Sequence, residues 1–180
     1  MKINSREELN HLQEFYSSRL HAQTKRILVC AGTGCVAEEQ GIRCEVVLEE
    51  EPHEHADGAG HTCHCEESAP EGARIGLKKS GCHGFCEMGP LLRIDPEGLL
   101  YIKVKVEDCE EIIERSILKD EIVERLVYQD QSLKSYPRQE DIPFYKKQTR
   151  VALEYCGHIN AESVREYIAV GGYSAVAKAL

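Results

Sequence analysis

The sequence predicts a mixed α/β chain. Three observations lead there: short apolar runs that end in glycine-rich cysteine turns, a strand, D-P-E-G, strand signal, and amphipathic stretches on either side of them. Two of the turns hold four cysteines in close pairs, Cys30 and Cys35 in C-A-G-T-G-C and Cys82 and Cys86 in C-H-G-F-C.

Ser5 followed by Glu8 has capping-box spacing, and Leu9, Leu12, Phe15 and Leu20 form a rough helical stripe, so residues 1–24 are expected to carry a helix. Lys25 to Cys30 (K-R-I-L-V-C) reads as a strand that delivers the first cysteine pair. Cys44 to Leu48 is expected as a second strand and Arg74 to Lys78 as a third, leading to the second pair. Leu91–Ile94 and Leu99–Val104 flank Asp95-Pro96-Glu97-Gly98 and predict a β-hairpin, because proline and glycine supply the turn's special φ values. Asp108 with Glu111 opens a helix whose Ile112, Ile113, Ile117 and Leu118 are expected to pack on the sheet, with Ile122, Val123 and Leu126 following. A domain over residues 25–128 is expected to close near Tyr128. The polar stretch 129–143, with two prolines, reads as a linker. Helical stretches are expected at 144–156, stopped by Gly157, and at 161–170, ended by Gly171-Gly172, with a further helix beginning in S-A-V-A-K-A-L.

With 180 residues the chain has room for one domain with a core and an appendage. Nine cysteines are an odd number, and beside eight histidines they argue against a secreted disulfide scaffold. The start, MKINSREELNHLQEFYSSRL, lacks the apolar region of a signal peptide, and no run approaches the length of a membrane span. A reducing cytoplasm is therefore expected, without direct membrane insertion. A formal charge of −9, with no tryptophan and no basic–aromatic interleaving, speaks against nucleic acid as a partner and for another protein.

Four clustered thiolates suit either a structural zinc ion or an iron–sulfur cluster, since both need soft deprotonated sulfur. Gly32, Gly34, Gly81 and Gly84 free the backbone to wrap a site and aim N–H groups at sulfur, which favours a cluster. The zinc alternative is an interaction domain stabilised through the same four cysteines, whose C-x4-C and C-x3-C spacings lie close to those of zinc fingers. A thiol–disulfide oxidoreductase would call for a C-x-x-C motif opening a helix, which the sequence does not carry.

The string K-K-S-G-C-H-G-F-C-E-M-G-P-L-L-R-I-D-P-E-G-L-L-Y-I-K-V-K-V-E-D-C-E-E-I-I, with V-C-A-G-T-G-C upstream, resembles the thioredoxin-like [2Fe–2S] ferredoxin module. That module begins the flavin-bearing subunits of NAD(P)-linked and electron-bifurcating hydrogenases and formate dehydrogenases, relatives of the flavoprotein subunit of complex I, the NADH-quinone oxidoreductase (an NADH dehydrogenase). The segment F-Y-K-K-Q-T-R-V-A-L-E-Y-C-G-H-I-N-A-E-S-V-R-E-Y-I-A-V-G-G-Y-S-A-V resembles the stretch leading into their flavin and NADH domain. The resemblance implies a thioredoxin-like fold over 25–128, with a His/Cys-rich insertion at 49–73 and a helical lead-in over 144–180. It implies that Cys30, Cys35, Cys82 and Cys86 ligate one [2Fe–2S] cluster, two thiolates per iron, and carry single electrons between flavin and other iron–sulfur centres. His83 and Phe85, between two of these ligands, are candidates for tuning its potential or for packing the loop. The implied partners are a flavoprotein/NADH-binding domain and other iron–sulfur subunits, with self-association through the C-terminal helices expected when that domain is absent.

Two departures from the family stand out. Only V-A-E-E-Q-G-I-R separates Cys35 from Cys44, too short for a parallel crossover, so the first crossover helix is expected to be missing. No flavin-binding glycine motif or NADH site follows, so FMN and NAD(P)H are expected only in a neighbouring domain and no complete catalytic site in this chain.

Between the pairs, His53, His55, His61, Cys63, His64 and Cys65 form a dense set of soft and borderline ligands. Their spacing fits no single coordination geometry, and they are expected to be a solvated acidic insertion or, as the competing reading, a secondary metal relay. Cys44, Cys109 and Cys156 are expected to be structural.

Overall fold

The computed structural model describes residues 3, 5–33, 35 and 75–179. The expected strand at Cys44–Leu48 and the His/Cys-rich insertion lie outside these residues.

The N-terminal helix α1 spans Arg6–His21. The Ser5 side chain caps it by accepting a 3.1 Å hydrogen bond from the Glu8 amide. Glu7 and Glu8 in its first turn and Arg19 and His21 in its last complement the helix dipole. A four-stranded sheet follows, built from β1 (Lys25–Cys30), β2 (Ile75–Ser80), β3 (Leu92–Asp95) and β4 (Leu99–Tyr101), in the order β2-β1-β3-β4. β1 pairs in parallel with β2, from Lys25 opposite Ile75 to Cys30 opposite Ser80, and antiparallel with β3. β3 and β4 form the expected hairpin, with Gly98 at φ +70° supplying the turn. The chain is mixed α/β, as its sequence predicts.

The expectation of a missing crossover helix concerns residues 36–43, outside the described ones. Its premise is a partner strand at Cys44. The described parallel partner of β1 is instead β2, so residues 31–74 make the connection, and that length exceeds the dozen residues a crossover requires.

Alternation along the strands divides the interior into two cores. Ile27, Ile94, Leu99 and Tyr101 turn to one face and pack with Val104, Ile112, Ile117, Val123, Leu126 and Val127. Cys30 and Leu100 turn to the other, where they meet Cys35, Leu91, Ile142 and Tyr145. The Tyr101 hydroxyl is fully used in the first core, 2.6 Å from Ser116 Oγ and accepting from the Val123 amide at 2.9 Å.

Helix α2 (Cys109–Ile112) begins where expected but continues as a π-helix over Ile113–Leu118. The wider i→i+5 winding brings Ile112 and Ile117 onto the buried face together. Ile113 and Leu118, expected in the core, are thereby turned out to 49% and 69% exposure.

The stretch 129–143 packs onto the sheet edge instead of spanning freely. β5 (Tyr128–Gln129) pairs with β6 (Ser135–Tyr136), and Asp130 holds the turn by accepting from the Ser132 and Lys134 amides and the Tyr136 hydroxyl. The chain then runs along the open edge of β4, where Leu100 N–H donates to Pro137 O and Gln139 N–H to Gly98 O, both at 2.9 Å. Backbone pairing orders a segment whose polar side chains suggest a linker, and Ile142 at its end is fully buried.

Beyond it, α3 is confined to Pro143–Lys146, and turns replace the rest of the helix expected over 144–156. Gly157 stands at φ +86°. α4 (Val164–Ala169) is capped by Ser163 and packs against α1, while the Lys78–Glu166 ion pair, 3.0 Å, ties it to β2. α5 covers Ser174–Ala179. No helix among the described residues is long and apolar enough to cross a membrane.

Candidate functional site

Because β1 and β2 are adjacent and parallel, the loops leaving them start from one edge of the sheet. Cys30 ends β1 opposite Ser80, and the Ala31 amide extends the ladder by donating to Ser80 O at 3.1 Å. Cys82 lies two residues past Ser80, so both cysteine loops face each other. They touch at Gly32, where a β-carbon would fall 3.0 Å from Cys82 Cβ and 3.1 Å from its sulfur. Only glycine leaves that space open. Thr33 and Cys35 have helical backbone, and Cys86 begins a 3₁₀ turn, Cys86–Met88.

The four predicted thiols come together as two pairs. Cys30 and Cys35 are buried and hydrogen-bonded to each other, and the sulfurs of the more open Cys82 and Cys86 lie 3.8 Å apart. The pairs sense one another, since Cys86 acts electrostatically on Cys35 and Cys30 on Cys86. Backbone donors reach the sulfurs as expected. Gly84 N–H donates to Cys82 Sγ at 3.3 Å from a φ of +79°, and Leu91 N–H donates to Cys35. Burial, reinforced by the bond with Cys30, pushes the Cys35 thiol up to about 12. The hydrogen bond shared with Cys82, with some burial, raises Cys86. Ligation by these groups therefore displaces protons.

This donor set fits a two-iron cluster. Soft sulfurs stand in two pairs, amides point at sulfur, and Gly32 leaves room that a side chain would fill.

His83, predicted as a tuning or packing residue, is fully buried behind the loop. Its Nε2 lies 2.8 Å from Ser80 Oγ and its Nδ1 3.3 Å from Gln139 Oε1. Burial drives its pKa down to about 4, the Gln139 contact opposing and the charges of Arg93, His158 and Arg150 adding to the fall. The imidazole is neutral at physiological pH. Arg150 clamps the same loop by donating to His83 O at 2.8 Å. Phe85, the other predicted residue, stacks on Phe144 with centroids 5.1 Å apart and meets Tyr128 and Tyr145 edge-on at 5.3 and 5.6 Å. Cys86 beside them remains exposed. His53, His55, His61, Cys63, His64 and Cys65, together with Cys44, lie outside the described residues. Cys109 starts α2, its sulfur 3.8 Å from Lys105 O, and Cys156 is half-buried in the turn before Gly157.

Sequence reasoning missed Ser80, Gln139, Tyr145 and Arg150, all of which frame the site. Gln139 and Tyr145 sit in or just beyond the segment read as a linker, and only the concentration of aromatic residues around Phe144 and Tyr145 offered a signal.

Curated proteins similar in sequence include two ferredoxins. A 2Fe-2S ferredoxin of Clostridium pasteurianum is 39% identical over 54 residues, 30% of this chain and 53% of its own length. One of Aquifex aeolicus (strain VF5) is 46% identical over 51 residues, 28% of this chain and 46% of its own. Part of this chain is similar to [2Fe–2S] ferredoxins. The chain spans about half the length of the curated relatives it matches. Among solved structures, the thioredoxin-like [2Fe-2S] ferredoxin of Aquifex aeolicus aligns with 60% of this chain and 99% of its own, at 22% identity and a TM-score of 0.38. A cysteine-to-serine variant of it aligns with 59% and 99%, at 24% identity and a TM-score of 0.40. No protein-family model matches the chain.

Proposed function

We propose that the chain is a [2Fe–2S] electron-transfer module of the thioredoxin-like ferredoxin kind, with Cys30, Cys35, Cys82 and Cys86 as ligands. The observation that carries this reading is the meeting of two cysteine pairs at one sheet edge, with Gly32 pressed against Cys82. Similarity in sequence to two 2Fe-2S ferredoxins supports it. When bound, such a cluster takes up and returns one electron. The protein's own contribution is to fix the sulfurs, donate N–H groups to them from Leu91 and Gly84, and bury the first pair among Leu91, Ile142 and Tyr145. The same four thiols would also suit zinc, and the N–H groups aimed at sulfur together with the sequence similarity to 2Fe-2S ferredoxins favour the cluster.

The resemblance of residues 144–176 to the lead-in of NADH-binding subunits supports a wider role within an NAD(P)H-oxidising flavoprotein complex, passing electrons between flavin and other iron–sulfur centres. Val151, Leu153, Val164, Tyr167 and Val176 are exposed along that segment, as a surface meant for a neighbouring protein would be.

Iron, acid-labile sulfide and zinc content of anaerobically purified protein test the proposal, with the visible spectrum and the reduced-state paramagnetic resonance. About two irons and two sulfides per chain are expected, lost in serine variants at any of the four ligand positions and kept in Cys109→Ser. A colourless protein that holds zinc, or that stays empty after attempted reconstitution, would overturn it.

A further inference from the structure

Tyr145 is only 8% exposed, and its hydroxyl is a fully buried side-chain oxygen with no hydrogen-bond partner among the described residues. A buried phenol normally finds a partner, as Tyr101 does with Ser116 and Val123. Tyr145 belongs instead to the same interior cluster as Cys30 and Cys35, otherwise lined by Leu91, Leu100 and Ile142. Burial holds its phenol protonated, the charges of Cys30 and Cys82 adding to that and Arg150 opposing. Arg150 lies over its ring, 5.2 Å from the centroid, and Phe85 and Phe144 pack against its edge. The ring is therefore fixed from two sides, and an unpartnered O–H donor is left in the buried cluster that holds Cys30 and Cys35.

We propose that the Tyr145 hydroxyl donates a hydrogen bond to a sulfur of the four-cysteine cluster site and thereby raises its reduction potential. The inference rests on the proposed cluster and makes Tyr145 a positioning and tuning residue. The physical reason is charge. Reduction adds an electron to the sulfur-rich group, so a donor aimed at it stabilises the reduced form more than the oxidised one.

The test is Tyr145→Phe in the full, cluster-loaded chain, which keeps the ring and removes one oxygen. Iron and sulfide content should stay at the wild-type level. The reduction equilibrium should fall by about tenfold, or about 59 mV for one electron. Iron–sulfur bands in the resonance Raman spectrum should move on transfer of wild type to heavy water, and move less in the variant. Tyr128→Phe, which alters another phenol of the same aromatic group, should leave the potential in place. An unchanged potential in a fully loaded Tyr145→Phe protein would overturn the inference while leaving the cluster intact. Should that variant lose iron, a fluorotyrosine at position 145 decides in its place, because it keeps the ring and makes the hydroxyl a stronger donor: the potential should rise, and an unchanged potential would overturn the inference. A wild type that never binds iron overturns the cluster reading and this inference together, and metal analysis separates that case from the others.

Discussion

Gly157 lies against the imidazole of His83, so closely that a β-carbon there would come within 2.9 Å of Nδ1. The C-terminal segment is thus the back wall of the second cysteine loop. The Gly81 amide reinforces the joint by donating to Ile159 O at 2.9 Å. Gly157→Ala faces two penalties, a left-handed φ of +86° and the clash with a fully buried ring. Together they should cost about 2–4 kcal/mol. Denaturant unfolding would measure it, and a loss below about 0.5 kcal/mol would show that the contact is not held in solution.

Neutral His83 gives the fold a pH dependence whose sign follows from burial. Its native pKa of about 4 lies below the ordinary 6.5, so between those values the unfolded chain binds more protons than the folded one. The contribution to stability is complete above about pH 6.5 and is lost progressively as pH falls through about 4. A difference of that size corresponds to roughly 3 kcal/mol at most. His158, also depressed by burial, works in the same direction. Unfolding free energies taken between pH 7 and 4 should decline, and His83→Gln should flatten that decline. An equally steep profile in the variant would assign the effect elsewhere.

Much of this arrangement is legible in the residues, for identifiable reasons. The run K-R-I-L-V-C and the D-P-E-G turn are local signals, and Ser5 with Glu8 is a local cap, so β1, the hairpin and α1 follow from neighbours in sequence. The four cysteines can be grouped because each pair closes a strand. Other features depend on distant partners. Residues 137–139 read as linker because their order comes from backbone bonds to β4, which side-chain polarity does not report. The π-helix arises from burying Ile112 and Ile117 together, and the α-helical stripe drawn through Ile113 and Leu118 has the wrong period. Tyr145 acquires meaning only when the edge of β4 brings it into the cluster that holds Cys30.

Gly32 permits a direct test of how tightly the two loops must meet. Its position 3.0–3.1 Å from Cys82 leaves no room for a branched side chain. Gly32→Val should therefore push the loops apart and lower iron content several-fold, while the hairpin and first core, which do not touch this residue, keep the chain folded. Circular dichroism checks the fold and metal analysis the loading. Full iron content in Gly32→Val would mean that the loops close less tightly than this contact implies.

The exposed residues after α3 call for a surface measurement. Val151 and Leu153 are 81% and 62% exposed within three positions, beside the half-exposed rings of Phe144 and Tyr155. Where such side chains join into one apolar patch they mark a contact with another protein. Their placement next to Arg150, which clamps the second cysteine loop, would bring such a partner close to the proposed cluster. The isolated chain should then self-associate as its concentration rises, which sedimentation can follow. Val151→Asp with Leu153→Asp should return it to a monomer with iron content unchanged, because neither side chain belongs to the interior around the cysteines. A wild type that is monomeric at every concentration would count against this surface as a contact.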